Sequence, residues 1–341
     1  MKRKRIVAGS LAALATLATP ALAEDSKPIA PKVFVITMFG DEAKPWLANE
    51  NLTDVVKVPG LSAEYPEVHC GTEGLCHMTT AMGFANAASS VSAMVYSGRF
   101  DLSQTYFLIA GIAGVDPDDG TLGSAHWARY AVDGGLRHDI DARQIPAGWS
   151  SGALALGAKA PGEKATWGSK TELYELNEGL LQRAYALSKD VELLDGDEAK
   201  SYRANYGKGP GSAAPVVSIC DTLSSDTYWH GKRLADAMAE LVKAATDGKG
   251  NYCTTQMEDN ATLTALQRGD MAGLLRFDRV ALLRTASNFD REPEGGDAFQ
   301  SLKARSGGFP LATENAYRVG HALTSDILAN WDRWSAGVPA Q

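Results

Sequence analysis

Short, uninterrupted apolar segments alternate with helix-like segments along this chain, and this alternation limits the folds that it can adopt. Residues 32–37 form the first such segment, bounded by turn residues, as expected for a strand buried on both faces of a sheet. Further strands are predicted at 106–110, 129–132, 216–220 and 279–285, and helices at 79–97, 170–188, 232–245, 260–268 and 314–334. We therefore expect an α/β fold, a three-layer sandwich with a central mixed, mostly parallel sheet.

A signal-like segment precedes this fold. Basic residues at positions 2–5 are followed by an apolar stretch and by the small residues Ala21-Leu22-Ala23. This order is typical of a secretory signal cleaved after Ala23, and the apolar stretch is shorter than the roughly 20 residues that span a bilayer. We predict a signal peptide over 1–23, a leader over 24–31, a single domain over 32–341, and an exported, periplasmic protein without a membrane span.

The charge of the chain favours small neutral or cationic ligands. The formal net charge is -8, and loss of four basic residues with the signal would make it about -12. Because a strongly acidic protein is repelled by nucleic acid and by anionic membrane surfaces, neither is expected as a partner. No cofactor is predicted.

The four cysteines are predicted to form two disulfides, as an oxidising compartment favours. They are Cys70, Cys76, Cys220 and Cys253. The first two bracket a glycine-containing loop and are expected to pair, which leaves the last two for the second bridge. A zinc site at the first pair is the alternative, because His69 and His77 adjoin it. The C-x5-C spacing matches no common zinc motif, so no metal site is predicted.

A carboxylate and a carboxamide lie where two predicted strands end. Met257 and Glu258 follow a strand-like patch and open a helix, and Asn288 follows the last apolar strand. An ionised carboxylate accepts hydrogen bonds from a sugar diol, and an amide can both donate to and accept from a heterocyclic base. The pair therefore points to nucleosides. A glutamate that only complements the dipole of its helix is the alternative for Glu258.

Three other segments are expected at the same edge of the sheet, where open α/β folds bind ligands. Asp41 and Glu42 follow the first strand, and Gly111-Ile112-Ala113-Gly114 is predicted to turn sharply out of the next, with little bulk to keep a ligand from the backbone. Tyr228 and Trp229 offer faces that can stack on a base. Simpler interpretations remain, since Asp41 could cap a helix and the aromatic residues could belong to the core.

In chain order, these segments resemble the purine nucleoside permease family, within the nucleoside phosphorylase and nucleosidase superfamily. The resemblance extends from about residue 32 to the C-terminus. It is carried by Phe39-Gly40-Asp41-Glu42, Ala110-Gly111-Ile112-Ala113-Gly114, Gly123-Ser124-Ala125-His126-Trp127, Ser225-Asp226-Thr227-Tyr228-Trp229 and Met257-Glu258-Asp259-Asn260. It implies a nucleoside phosphorylase-like fold and a purine nucleoside ligand. Since relatives commonly form dimers to hexamers, a homo-oligomer is possible.

The resemblance also implies roles for individual residues. Ribose would be bound by Met257, by Glu258, which accepts from its 2′- and 3′-hydroxyls, and by His126, although a buried structural histidine is the alternative. The base would be bound by Tyr228, Trp229, Asn288 and the glycine-rich segment from Gly111 to Gly114. Asp41 or Glu42 would activate water, while Asn288 would hydrogen-bond the leaving base.

Two departures from the superfamily bear on the chemistry. Asn288 stands where many relatives have aspartate, and an amide cannot supply a full proton to the leaving group. No arginine occurs between Lys32 and Gly98, where the phosphorylases hold phosphate, so a phosphate dianion would lack a guanidinium partner. We therefore predict hydrolysis of purine nucleosides through an oxocarbenium-like state. The alternatives are a non-catalytic protein that binds nucleosides for uptake and, second, phosphorolysis.

Overall fold

The computed structural model describes residues 27–339, so the predicted signal peptide and the start of the leader lie outside it. The strands are β1 (Val33–Thr37), β2 (Asp54–Lys57), β3 (Glu67–Cys70), β4 (Leu75–Thr79), β5 (Tyr106–Val115), β6 (Ala125–Trp127), β7 (Tyr130–Asp133), β8 (Arg137–Asp139), β9 (Ala153–Ala155), β10 (Leu173–Glu175), β11 (Val217–Ile219), β12 (Asp221–Ser224), β13 (Tyr252–Gln256) and β14 (Val280–Phe289). The helices are α1 (Gly40–Asn49), α2 (Phe84–Tyr96), α3 (Glu178–Ser188), α4 (Asp197–Arg203), α5 (Lys232–Ala245), α6 (Asp259–Met271), α7 (Ala298–Lys303), α8 (Gly308–Ala329) and α9 (Trp331–Ser335).

A mixed sheet of 12 strands forms the middle layer. Its centre is parallel, with β4, β1, β5 and β14 side by side. Strand β13 pairs antiparallel with β5 and continues the sheet to β12, β7 and β10, while β3 and β2 extend the opposite edge. Strands β6 and β11 join through β14. The predicted α/β class with a mixed sheet is confirmed.

Helices cover both faces of this sheet because its central strands are apolar on both sides. In β1, Phe34 and Ile36 pack in one core cluster with residues of α2 and α6. Val33 and Val35 face the other way and pack with α1, α3 and α8. Full burial of such side chains stabilises the fold by roughly 1.5–3 kcal/mol each, so the continuous apolar strand places the sheet between two helical layers.

Three predicted boundaries are wrong, and strand pairing explains the first two. The segment predicted to turn at Gly111 continues β5 to Val115, because β14 pairs with it up to Phe289, with one register shift between Ala286 and Asn288. Residues 170–188 are not one helix: β10 pairs with β7, and α3 begins only at Glu178, after an Asn177 side chain that accepts a hydrogen bond from Leu180 N. The last long helix begins earlier, at Gly308, and ends at Ala329.

Both predicted disulfides are present. Cys70 and Cys76 join β3 to β4, and Cys220, just before β12, is bonded to Cys253 in β13. Over residues 27–339, no helix has the length and apolar character needed to cross a membrane.

Candidate functional site

The carboxyl ends of β1, β5, β12, β13 and β14 surround a cavity of about 470 Å³. This volume is within the range of sites that bind small molecules. Most of the predicted site residues line it: Glu42, Ile112, Ala113, Gly114, Tyr228, Trp229, Met257, Glu258 and Asn288. Residues that the sequence did not single out complete the wall, among them Met38, Phe39, Met82, Arg284 and Phe309.

Glu258 is fixed in the cavity wall by contacts on several sides. It precedes α6, and Gln256 Oε1 accepts hydrogen bonds from the backbone N–H groups of Glu258, at 2.8 Å, and Asp259, at 3.1 Å. Its own Oε1 accepts from Gly83 N at 3.1 Å, and its Oε2 lies 3.5 Å from Arg284 Nη2. Oε2 also accepts from Met257 N at 3.3 Å. Because each carboxylate oxygen has about two acceptor positions, Oε1 can still accept from a ligand hydroxyl, whereas Oε2 must first give up one of its two long contacts.

Arg284 links the acidic groups of the site, and sequence reasoning missed it. Its guanidinium is only 1% exposed and is bonded to Asp259 through Nε and Nη2. Nη1 donates to Ile112 O at 3.0 Å. The expectation that the site lacks a guanidinium is therefore wrong. It rested on residues 32–98, whereas Arg284 is supplied by β14. A bidentate bond to Asp259 nevertheless satisfies much of its charge.

Glycine in β5 is required for this arrangement. A Cβ at position 111 would lie 2.5 Å from Glu42 Oε1 and 2.7 Å from Arg284 Nη1. Only a residue without a side chain leaves room for both groups. Gly111 therefore acts by permitting close approach inside a strand, and the expected sharp turn is absent.

Glu42 is buried beneath the cavity and has an unusual protonation equilibrium. Its two oxygens accept from Met38 N and Ile112 N, each at 2.7 Å. Burial raises the pKa of Glu42 to about 8; Glu258 also raises it, while Arg284 and the two backbone donors lower it. A carboxyl group with a pKa near neutral pH is suited to proton transfer.

Asp41, the other predicted acid, lies elsewhere. It is exposed in the first turn of α1 and is not part of the cavity lining. Successive residues of a helix point about 100° apart, so the turn that directs Glu42 inward directs Asp41 to solvent. Of the two acids predicted to activate water, only Glu42 lies at the cavity.

Asn288 also lines the cavity. Its Oδ1 accepts from Ser287 Oγ at 2.8 Å, and its Nδ2 donates to Phe289 O at 2.9 Å. One N–H and one lone pair remain for a ligand. A Cβ on Gly114 would lie 3.1 Å from Nδ2, so this glycine also gives the side chain its space.

Aromatic residues supply the apolar walls of the cavity. Tyr228 is 58% exposed, whereas Trp229 is buried and packs in a core cluster with Met238 and Tyr252. Phe39 and Phe309 stack with their ring centroids 6.0 Å apart. Flat apolar faces of this kind bind planar ligands with defined geometry.

His126 does not lie beside the cavity, so the expected contact with the sugar is wrong. It is fully buried in β6 and is absent from the cavity lining. Its Nδ1 is hydrogen-bonded to Ser218 Oγ at 2.9 Å, and a ring nitrogen lies within 4.8 Å of the sulfur atoms of Cys220 and Cys253. The pairing of β6 with β11 places the ring against Ser218 and this disulfide.

The N-terminus of α2 adjoins the cavity and already binds carboxylates. Asp226 Oδ1 accepts from Phe84 N at 2.6 Å, and Glu258 accepts from Gly83 N. Such N–H groups are the part of a helix that would otherwise attract a phosphate. With Glu42, Glu258 and Asp259 close to a single guanidinium, the site has an excess of acidic groups.

Solved structures with the same fold are nucleosidases and a related hydrolase. Futalosine hydrolase of Helicobacter pylori superposes with a TM-score of 0.52 at 14% identity, over 87% of this chain and 98% of that one. The 5′-methylthioadenosine/S-adenosylhomocysteine nucleosidase of Neisseria meningitidis, solved with methylthio-immucillin-A, has a TM-score of 0.50 at 14% identity, over 87% of this chain and 99% of that one. These likenesses confirm the nucleoside phosphorylase-like fold.

The sequence has close relatives of one family. A probable purine nucleoside permease of Schizosaccharomyces pombe is 38% identical over 318 residues, which are 89% of this chain and 91% of that protein. A purine nucleoside permease of Candida albicans is 38% identical over 322 residues, covering 92% of this chain and 79% of that protein. The family model for purine nucleoside permeases matches residues 30–339. The chain belongs to the purine nucleoside permease family.

Proposed function

We propose that this protein is exported, binds purine nucleosides in the cavity and hydrolyses their N-glycosidic bond. The observation that carries the proposal is that Glu258 and Asn288, 30 positions apart in the sequence, line the same cavity as the buried acid Glu42. A diol acceptor, a base-reading amide and a proton acceptor are the groups that this reaction needs.

Each wall of the cavity suits one part of a nucleoside. Glu258 accepts hydrogen bonds from the ribose 2′- and 3′-hydroxyls, while Met257 packs on the sugar. Asn288 donates its free N–H to N7 of the purine and accepts from an exocyclic group. Tyr228 and Trp229 cover the base with their rings. The cavity volume of about 470 Å³ has room for such a ligand.

The bond cleavage requires a proton acceptor for water. Water attacks the anomeric carbon, Glu42 takes one of its protons, and the electron pair of the glycosidic bond passes to the base. The leaving base is stabilised by the hydrogen bond from Asn288 and takes its proton from solvent. Positive charge develops on the sugar and is stabilised by the ionised form of Glu258.

Water is a better nucleophile for this site than phosphate. Arg284 is the guanidinium of the cavity wall, and Asp259 already binds it through Nε and Nη2. The helix N–H groups at Gly83 and Phe84 are likewise bonded to carboxylates. A phosphate dianion would have to displace these partners and approach Glu42 and Glu258, which costs electrostatic energy.

Export is supported by the cysteine chemistry. Both cysteine pairs of the chain are oxidised to disulfides, a state that persists in secreted and periplasmic proteins and is rare in a reducing cytosol. The sequence pattern of residues 1–23 is typical of a secretory signal peptide. Expression of the full chain in a bacterium and N-terminal sequencing of the periplasmic fraction test this part, with Ala23 as the expected last residue removed.

The reaction is tested by incubating the purified chain with inosine, guanosine and adenosine, with and without phosphate, and separating the products by chromatography. We expect free base and ribose in both conditions, and no ribose 1-phosphate. The Glu42→Ala variant should lose at least about 10²-fold in rate, the contribution of a positioned base. Asp41→Ala is the matched control, since it removes the neighbouring, exposed acid and should leave the rate unchanged.

Binding without cleavage is the second candidate function, in which the protein holds nucleosides for uptake. It is favoured by Asn288, which cannot protonate a leaving base, and by the relatives named permeases. Tight binding of intact nucleoside, with no base released over hours, would establish this function and refute hydrolysis. A strict requirement for phosphate would instead establish phosphorolysis.

A further inference from the structure

The disulfide between Cys220 and Cys253 connects β12 and β13, two of the strands that lead into the cavity. Cys220 is followed by β12, and the loop after β12 contains Tyr228 and Trp229. Cys253 lies in β13, which ends immediately before Met257 and Glu258. The register between the two strands shifts after Asp221, beside this bond. The link therefore lies where a change in the spacing of the strands would reach both walls of the site.

The surroundings of this disulfide leave it little room to change. Both cysteines are buried in a cluster with Val115, Ala286 and Phe289. These three residues belong to β5 and β14, and β14 also contains Asn288. Two thiols need more space than a disulfide, because non-bonded atoms stay at van der Waals separation. In a close-packed core, such an expansion shifts the neighbouring strands.

An unpartnered histidine atom lies beside the same bond. His126 Nε2 is buried and has no hydrogen-bond partner among residues 27–339, while Nδ1 is held by Ser218 Oγ. A ring nitrogen of His126 is within 4.8 Å of both sulfur atoms. Disulfide sulfur is a weak partner, whereas a thiol can donate or accept. Opening the disulfide would place a thiol within 4.8 Å of a ring nitrogen of His126, whichever tautomer the ring adopts.

We propose that Cys220–Cys253 is a reducible link that positions the two ligand-binding loops, and that His126 favours its opening. A dithiol reductant breaks the Sγ–Sγ bond by supplying two electrons and two protons. Two cysteine thiols form, one of which bonds His126 Nε2, and the reductant becomes a cyclic disulfide. The reduced protein keeps its fold and binds nucleosides more weakly. The effect on the ligand rests on the proposed nucleoside site.

Binding is best measured in a Cys70→Ala/Cys76→Ala background, in which only one disulfide can open. The probe is formycin B, an inosine analogue whose carbon–carbon glycosidic bond resists hydrolysis, titrated by calorimetry. We expect reduction, checked by thiol counting, to weaken binding about 10- to 100-fold, because misplacements near 1 Å have effects of this size. Reoxidation should restore it. The oxidised background variant is the matched control and should bind within about twofold of wild type, because neither Cys70 nor Cys76 lines the cavity.

The role of His126 is measured separately, by equilibrating the protein with dithiol buffers of graded ratio. The His126→Leu variant removes the acceptor and should require an about tenfold more reducing ratio, the value of one buried hydrogen bond. An unchanged ratio overturns the role of His126. Reduced protein that binds formycin B as tightly as oxidised protein overturns the positioning role, as does reduction that occurs only when circular dichroism shows global unfolding.

These outcomes are distinguishable from failure of the proposed function. If oxidised protein binds no nucleoside, the nucleoside site itself is refuted, and the coupling of the disulfide to that ligand falls with it. The dithiol equilibrium of wild type and His126→Leu needs no ligand and still decides whether the histidine favours opening.

Discussion

The buried pair of Arg284 and Asp259 gives the sharpest test of how the site is held together. Both side chains are at most 1% exposed and are bonded through two guanidinium nitrogens. Removing one partner leaves the other charge buried and uncompensated, which costs roughly 3–5 kcal/mol. We expect Arg284→Met to lower the free energy of unfolding by this amount. Domains are commonly stable by about 5–15 kcal/mol, so the variant should still fold.

The double variant Arg284→Met/Asp259→Leu tests whether the lost stability comes from the charge left on Asp259. Replacing both charges by apolar groups removes the uncompensated charge of Asp259, so part of the lost stability should return. The rest should stay lost, because Glu258 also loses its guanidinium neighbour. The free energies of unfolding in urea of wild type, both single variants and the double variant form a double-mutant cycle for this pair. Lys232→Met is the control, because its pair with Asp236 is exposed and worth at most about 1 kcal/mol. A loss below about 1 kcal/mol in Arg284→Met would refute the reasoning.

Three further predictions concern the ligand and the reaction. If Glu42, with its pKa of about 8, is the base, it must be ionised to act. The value of kcat/KM for inosine should therefore rise with pH and level off above pH about 8. A flat profile from pH about 6 to 9 would exclude Glu42 as the base. Asn288→Asp restores a proton donor, and hydrolysis should increase by about 10²-fold; an unchanged or lower rate contradicts a leaving-group role. Glu258→Gln should weaken inosine binding about 10- to 100-fold through lost charged hydrogen bonds, while 2′,3′-dideoxyinosine, titrated in parallel, should bind both proteins alike.

The strand pattern and the cavity residues could be predicted from sequence for one physical reason. Parallel strands end at the same edge of a sheet, so side chains that follow apolar runs meet there. Glu42 and Asn288 follow this rule, because each lies at or just beyond the apolar run of a parallel strand. Glu258 follows β13, which pairs antiparallel with β5 and still ends beside the cavity. Both disulfides were predicted from the cysteine count and the expected compartment.

What the sequence did not reveal depends on contacts between distant residues. Arg284 lies in the middle of an apolar strand, and its meaning comes from Asp259, 25 positions earlier, and from the space left by Gly111. No local pattern marks either relation. Conversely, His126 had a suggestive sequence context, yet the pairing of its short strand places it against a disulfide.

The charge balance of the cavity has a consequence for the ligand that it selects. Burial raises the pKa of Glu42, Glu258 and Asp259 alike, while Arg284 opposes the rise for each. A neutral nucleoside can enter without disturbing this balance, whereas a nucleotide would bring its phosphate against the carboxylates. The oxocarbenium-like state instead adds positive charge and favours ionised carboxylates. In the proposed hydrolysis, this charge balance would stabilise the transition state more than the ground state, the condition for catalysis. The site should also reject 5′-phosphorylated ligands.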